Sequence, residues 1–278
     1  MTTETPFFFR NGAYDLFGVM HEPVRIEGPG FVFCHAFGEE KLWTHRVLVS
    51  FARTLARYGC PVLRFDLMGN GDSDGAFAES TITSAMSDIG CAIDTLRRRT
   101  GLADVTLLGL RFGATLAAET AERRDDIQRL VLWSPIVDGA RYMQELLRIN
   151  LTTQMAVYKE IRADRVALVE LLRRGGTANV DGYEVSLPMF EEMSALNLSA
   201  VPKRFAGPCL IVHIERSPTA RPSAEITALS SAYPGASLEA VHEEPFWKEI
   251  DRFYDAAPNL HDATLRWLSL APSEASAP

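Results

Sequence analysis

No apolar run in this sequence approaches the roughly 20 residues that cross a bilayer, so a membrane span is excluded. The opening residues, MTTETPFFFR, lack a basic start followed by a long apolar core and do not read as an export signal. Cysteine is scarce: Cys34, Cys60, Cys91 and Cys209 are far apart, in apolar or helical surroundings. With no C-x-x-C spacing, neither a metal nor a redox site is indicated, and nothing else calls for a cofactor. Buried reduced thiols suit a reducing compartment, so a cytoplasmic protein is expected. Positive charge is also short, with 28 Lys and Arg against 36 Asp and Glu, a net charge of −8 and a pI near 5.3. That balance argues against nonspecific nucleic-acid binding, which needs a basic stripe. The densest basic run, Arg97-Arg98-Arg99, ends a helix-patterned stretch, where cations suit the dipole. Internal repeats are missing too.

What is present is an ordinary globular composition, 47% apolar and 23% charged, in 278 residues, enough for a sizeable core. Two short strands, around TPFFFR and YDLFGVMHEP, join at Asn11-Gly12, a hairpin-turn pair. Strand and helix then alternate: GFVFCHAF, WTHRVLVSFARTLARYG, PVLRFDLMG, STITSAMSDIGCAIDTLRRR, VTLLGL with the helix after it, and RLVLWSP. Short apolar runs alternating with amphipathic helices predict an α/β protein, a mostly parallel central sheet with helices on both faces. The rhythm breaks after Pro135. Residues 138–198 hold helical patterns (ARYMQELLRINLTTQMAVYKEI and DRVALVELLRR) and a turn-rich piece, ANVDGYEVS, and read as an inserted helical cap. Alternation resumes with PCLIVHIE, SAEITALSSAY, SLEAVHEE and a helix around NLHDATLRWLSL. The core is thus expected at 1–137 and 199–270, and the tail 271–278, APSEASAP, reads as disordered.

The stretch GLRFG, residues 109–113, follows the strand VTLL and opens onto ATLAAETAERR. Strand, Gly-x-?-x-Gly, helix is the layout of a nucleophile elbow, with serine at the middle position. Here Arg111 stands there. Upstream, FDLMGNGDSDG resembles the Asp-x-x-Gly-x-Gly-x-Ser segment of the α/β-hydrolase fold, and the order of elements resembles that fold over nearly the whole chain. HAFGEEKLWTHR, GLRFGATLAAE, LVLWSPIVDGARYMQELLR, VDGYEVS and PFW further resemble the proteins called exosortase A system-associated hydrolase 2, in which an arginine also follows Gly-Leu at the elbow. That resemblance implies a supporting role near exopolysaccharide production and export.

Serine hydrolysis needs a hydroxyl, an imidazole to take its proton and a carboxylate to orient the imidazole. Arginine is always protonated and cannot attack a carbonyl. By the same resemblance the acid position falls near Ser217, with Glu215 close, and the histidine position at Pro245, so all three roles read as vacant. A hydrolase or acyltransferase with a relocated nucleophile is the enzymatic alternative. Cys34 adjoins His35, but neighbours on a strand point to opposite faces, and a buried cysteine is the simpler account. His242 lies three residues before Pro245. Ser73 suits a turn, and Ser134 a strand terminus before proline.

A cation at the elbow is opposed by the helix dipole by about 0.3–1 kcal/mol, and more where buried. A positive φ adds about 1–3 kcal/mol, and burying an unpaired guanidinium several more. Arg111 must therefore face water or hold an anion. Internal candidates are Glu39 and Glu40, with Glu215 and Asp138 behind them; the external one is an anionic small molecule, a carboxylate or phosphate entering beneath the cap. Phe37, Phe112 and Trp133 are expected to line the cleft with Arg111, flanked by Phe246 and Trp247. Tyr142, Met143, Leu146 and Met155 recur at helical spacing in the cap, as core contacts or as the wall of an acyl pocket. A cleft filled by its own Arg–Glu pair, in an interaction protein, is the third reading.

Overall fold

The computed structural model describes residues 2–219, 221–248 and 253–270; the expected disordered tail lies outside them. Strands β1 (Thr3–Asn11) and β2 (Tyr14–Glu22) form an antiparallel hairpin. Its turn centres on Gly12 and Ala13, one residue beyond the Asn-Gly pair, because Gly12 supplies the positive φ of 59°. Next come β3 (Gly30–Cys34), α1 (Glu39–Arg57), β4 (Val62–Phe65), α2 (Ile82–Thr100), β5 (Val105–Leu110), α3 (Phe112–Arg123) and β6 (Arg129–Trp133). After the insert follow β9 (Cys209–Glu215), α7 (Ala224–Ala232), β10 (Ala236–His242) and α8 (Pro258–Trp267). The eight strands lie in the order β1-β2-β4-β3-β5-β6-β9-β10, parallel from β4 to β10, with β2 antiparallel to β4.

Every residue of β3, β4 and β5 is buried, which is why these strands read as continuous apolar runs rather than alternating ones. One face packs under α1 and α8, through Val47, Phe51, Leu55 and Leu260. The other packs under α2, α3 and α7, through Ile89, Ile93, Leu116 and Leu229.

Between β6 and β9 the chain forms α4 (Gly139–Tyr158), α5 (Arg165–Arg173), β7 (Ala178–Val180), β8 (Tyr183–Val185) and α6 (Leu187–Ala195). Its two necks are hydrogen-bonded to each other, Gly139 N–H to Leu196 O at 2.9 Å and Leu198 N–H to Val137 O at 2.8 Å. The turn-rich piece is a short hairpin, β7 against β8, turning at Asp181 and Gly182, both with positive φ. Along α4 the apolar stripe holds for Tyr142, Met143 and Leu146, all buried, but not for Met155, which is exposed.

Candidate functional site

The elbow is built by close packing. Arg111 joins β5 to α3 with φ 54° and ψ −123°, and its N–H is held by Trp133 O at 2.9 Å. A Cβ on Gly113 would overlap the carbonyl oxygens of Cys34 and His35, and one on Gly109 would overlap the backbone of Ala114. Both glycines flanking the arginine are therefore required by contact with β3 and with the first turn of α3.

Arg111 turns into a cavity of about 710 Å³ between the sheet's C-terminal end and the insert, lined by Phe37, Glu39, Glu40, Trp43, Tyr142 and Trp247 among others. Nε and Nη2 both donate to Oε1 of Glu40, each at 3.2 Å. The guanidinium carbon lies 5.0 Å from the centroid of the Trp247 ring and 5.9 Å from that of Tyr142, within cation–π range. Glu40 and Glu39 sit in the first turn of α1, where the helix dipole favours carboxylates. Burial raises the pKa of Glu40, opposed by the charge and hydrogen bonds of Arg111. The hydroxyl of Tyr142 is also pushed up, first by burial and then by the Glu40 charge. Glu40 Oε2 and the Tyr142 hydroxyl interact at close range, yet among the described residues neither has a partner in good hydrogen-bond geometry. A cationic fork, one carboxylate oxygen and one hydroxyl thus converge where aromatic rings wall the cavity.

A second chamber of about 330 Å³ shares Arg111, Tyr142 and Trp247 and adds Ser134, Asp138, His213 and Glu215. Ser134 has a φ of 43°, and its Oγ accepts the Ile214 N–H at 3.2 Å. Asp138 caps α4 by accepting the Arg141 N–H, and Glu215 lies 3.4 Å from His213 Nε2. Neither carboxylate is paired with Arg111.

Several expected residues stand elsewhere. Trp133 does not reach the cleft: it is fully buried on the face beneath α1 and α8, its Nε1 donating to Thr264 Oγ1 at 3.1 Å. Phe246 is likewise a core residue of that face. Phe112 lies behind the main cavity, stacked on Tyr142 at 5.6 Å and edge-on to Phe37, so it supports the wall without forming it. Cys34 is buried, lines neither chamber, and burial drives its thiol far up, away from the reactive thiolate. His35 is buried with its charged form disfavoured by burial.

Ser73 knits its own turn, donating to Asp66 O at 2.7 Å and accepting the Phe17 N–H at 2.9 Å. Asp66 of the same motif accepts the Asp72 N–H at 3.2 Å and pairs with Lys41 of α1 at 2.5 Å, so the Asp-x-x-Gly-x-Gly-x-Ser segment is a turn bonded to itself and to its neighbours β2 and α1. His242 is exposed and lines neither chamber, and Pro245 follows in the loop after β10. Ser217 Oγ faces Thr219 Oγ1 at 3.1 Å. Trp43, Glu145 and Lys248 line the main cavity and carried no sequence signal of doing so.

Strand order, elbow and insert define an α/β-hydrolase fold, and solved structures agree. Est1E from Butyrivibrio proteoclasticus, with ferulic acid bound, is 19% identical, covering 95% of this chain and 96% of its own, with a TM-score of 0.66. A hydrolase from Agrobacterium vitis S4 is 15% identical over 96% of this chain and 99% of its own, TM-score 0.62. DcsB, in complex with its substrate analogue, is 16% identical over the same shares, TM-score 0.63. The chain belongs to the family described as serine aminopeptidase, S33, whose model matches residues 30–183. No curated protein matches it at comparable significance.

Proposed function

We propose that this α/β-hydrolase-fold protein has lost the Ser–His–acid triad and binds an anionic small molecule, an acyl acid or a phosphate ester, through Arg111. The observation that carries the reading is the guanidinium at the elbow, turned into a roomy aromatic cavity and held there by a single oxygen of Glu40. One acceptor leaves part of the fork for a second anion. Trp43, Trp247 and Phe37 suit an apolar body attached to it. Loss of the triad rests on Arg111, Ser217 and Pro245 at the three positions, and on the engagement of Ser73 and burial of Cys34 described above. The resemblance at the elbow and cap supports a supporting role in exopolysaccharide production, and four free cysteines support a reducing, cytoplasmic setting. Among the described residues no helix is long and apolar enough to cross a membrane.

A fluorophosphonate probe tests the first half: no serine is expected to label, and stoichiometric labelling would restore the relocated-nucleophile reading. Thermal shift with octanoate and with glucose 1-phosphate tests the second. At least one is expected to raise Tm in wild type more than in Arg111→Ala/Glu40→Gln. The Glu40 contact also favours a second reading, an interaction protein whose cleft is closed by its own ion pair. Equal shifts in the two proteins, or none, would select it.

A further inference from the structure

The end of α4 and the loop after it form a projection with no part in the cleft's charge cluster. Through its first half α4 buries Tyr142, Met143, Leu146 and Leu147, and Gln154 is its last buried residue. Beyond it the chain stays apolar but uncovered: Met155, Val157, Tyr158 and Ile161, then Val166 and Leu171 on α5, are all exposed, Val166 at 72%. Six of the 13 large apolar side chains exposed among the described residues fall in this stretch of 17. Scattered surface apolar residues need no explanation, but a cluster does.

The projection is held in shape. Gln154 Nε2 donates to Asn150 Oδ1 at 2.7 Å and to Ala163 O at 2.9 Å, while its Oε1 accepts the N–H groups of Arg162 and Ala163 at 2.7 and 2.9 Å. One buried amide thereby closes residues 155–163 into a knuckle. Arg162 stacks on Tyr158 at 3.7 Å from the ring centroid and pairs with Glu160 at 3.1 Å. From Arg148 to Arg174 there are six cations and three anions, a local excess of positive charge in a chain whose net charge is −8. Exposed aliphatics and a tyrosine rimmed by Lys and Arg are the chemistry of an anionic bilayer interface.

We propose that this knuckle is a peripheral membrane contact, with Val157, Tyr158, Ile161 and Val166 entering the interface of an anionic bilayer and Lys159 and Arg162 lying at its phosphates. Ala156, on the same turn of α4, lines the main cavity, so docking sets that cavity beside the lipid. The contact is independent of whether Arg111 holds a ligand.

Flotation of the full chain with phosphatidylcholine vesicles, with and without phosphatidylglycerol, tests it. Binding is expected only to the anionic vesicles, weakened by salt, and about fivefold weaker in Lys159→Gln. Val157→Asp/Ile161→Asp is expected to abolish it with Tm unchanged, since both side chains are exposed. No flotation with anionic vesicles, or flotation that survives the double substitution, overturns the proposal. So does a wild-type dimer, by light scattering, that the double substitution converts to monomer, because the patch would then join two copies of the chain.

Discussion

At φ 54° Arg111 holds a conformation that costs a non-glycine residue about 1–3 kcal/mol, and its charge sits against the positive end of α3. Glu40 offsets part of this, but the pair is only partly screened, with about a fifth of each side chain exposed. Removing one partner strands the other. Arg111→Ala is expected to lower unfolding stability by about 1–3 kcal/mol in urea titration, and adding Glu40→Gln to recover most of that loss. If the double variant is no more stable than Arg111→Ala, the two side chains are not coupled.

GLRFG marks the elbow, and the sequence leaves Glu40 as one of two leading internal candidates for Arg111, with Glu39 beside it and an external anion as the alternative. The pair with Glu40 is what the structure adds. The place of Trp133 is not legible in the sequence. On a strand buried on both faces, period-two alternation says that neighbours diverge but not which one faces the cleft, and Trp133 faces α8.

Among the elements, the parallel strands and their helices were readable because burial on both faces imposes unbroken apolar runs and helices bury one stripe. The β7–β8 hairpin escaped because each strand is three residues long, although Asp181-Gly182 is a strong turn signal. Met155 escaped because helical spacing continues past the point where the core ends. The junction of β3, β5 and α3 leaves no room at Gly113. Gly113→Ala is expected to cost more than about 3 kcal/mol, because the added methyl meets two backbone carbonyls that cannot move independently of β3. A urea midpoint equal to wild type would show that the elbow can relax.

Acid sensitivity belongs to the whole molecule, because buried histidines at separate places on the α1 and α8 side of the sheet, His21 on β2 and His261 on α8, share it. Burial, then the Arg64 charge, lowers the pKa of His21 to about 4, and its Nε2 accepts from Arg64 Nε at 2.9 Å. Burial alone lowers His261 to about 4, where it packs on Phe51 and Trp133. In the unfolded chain both titrate near 6.5, so the unfolded state binds more protons between about pH 6.5 and 4. Their stabilisation is complete above that window and is lost as pH falls through it. Each is expected to remove about 2 kcal/mol between pH 7 and pH 5. Urea titrations at the two pH values check this: His261→Phe should flatten the dependence by about that amount, and an unchanged slope would refute it.

The two necks of the insert, bonded to each other at Val137–Leu198 and Gly139–Leu196, have an architectural consequence. Whatever is strung between them departs and returns at one point, so its length and sequence leave strand register untouched. The upper storey of this molecule is a cassette, and a replacement grafted at 137 and 198 would change what the cavity admits without re-threading the sheet.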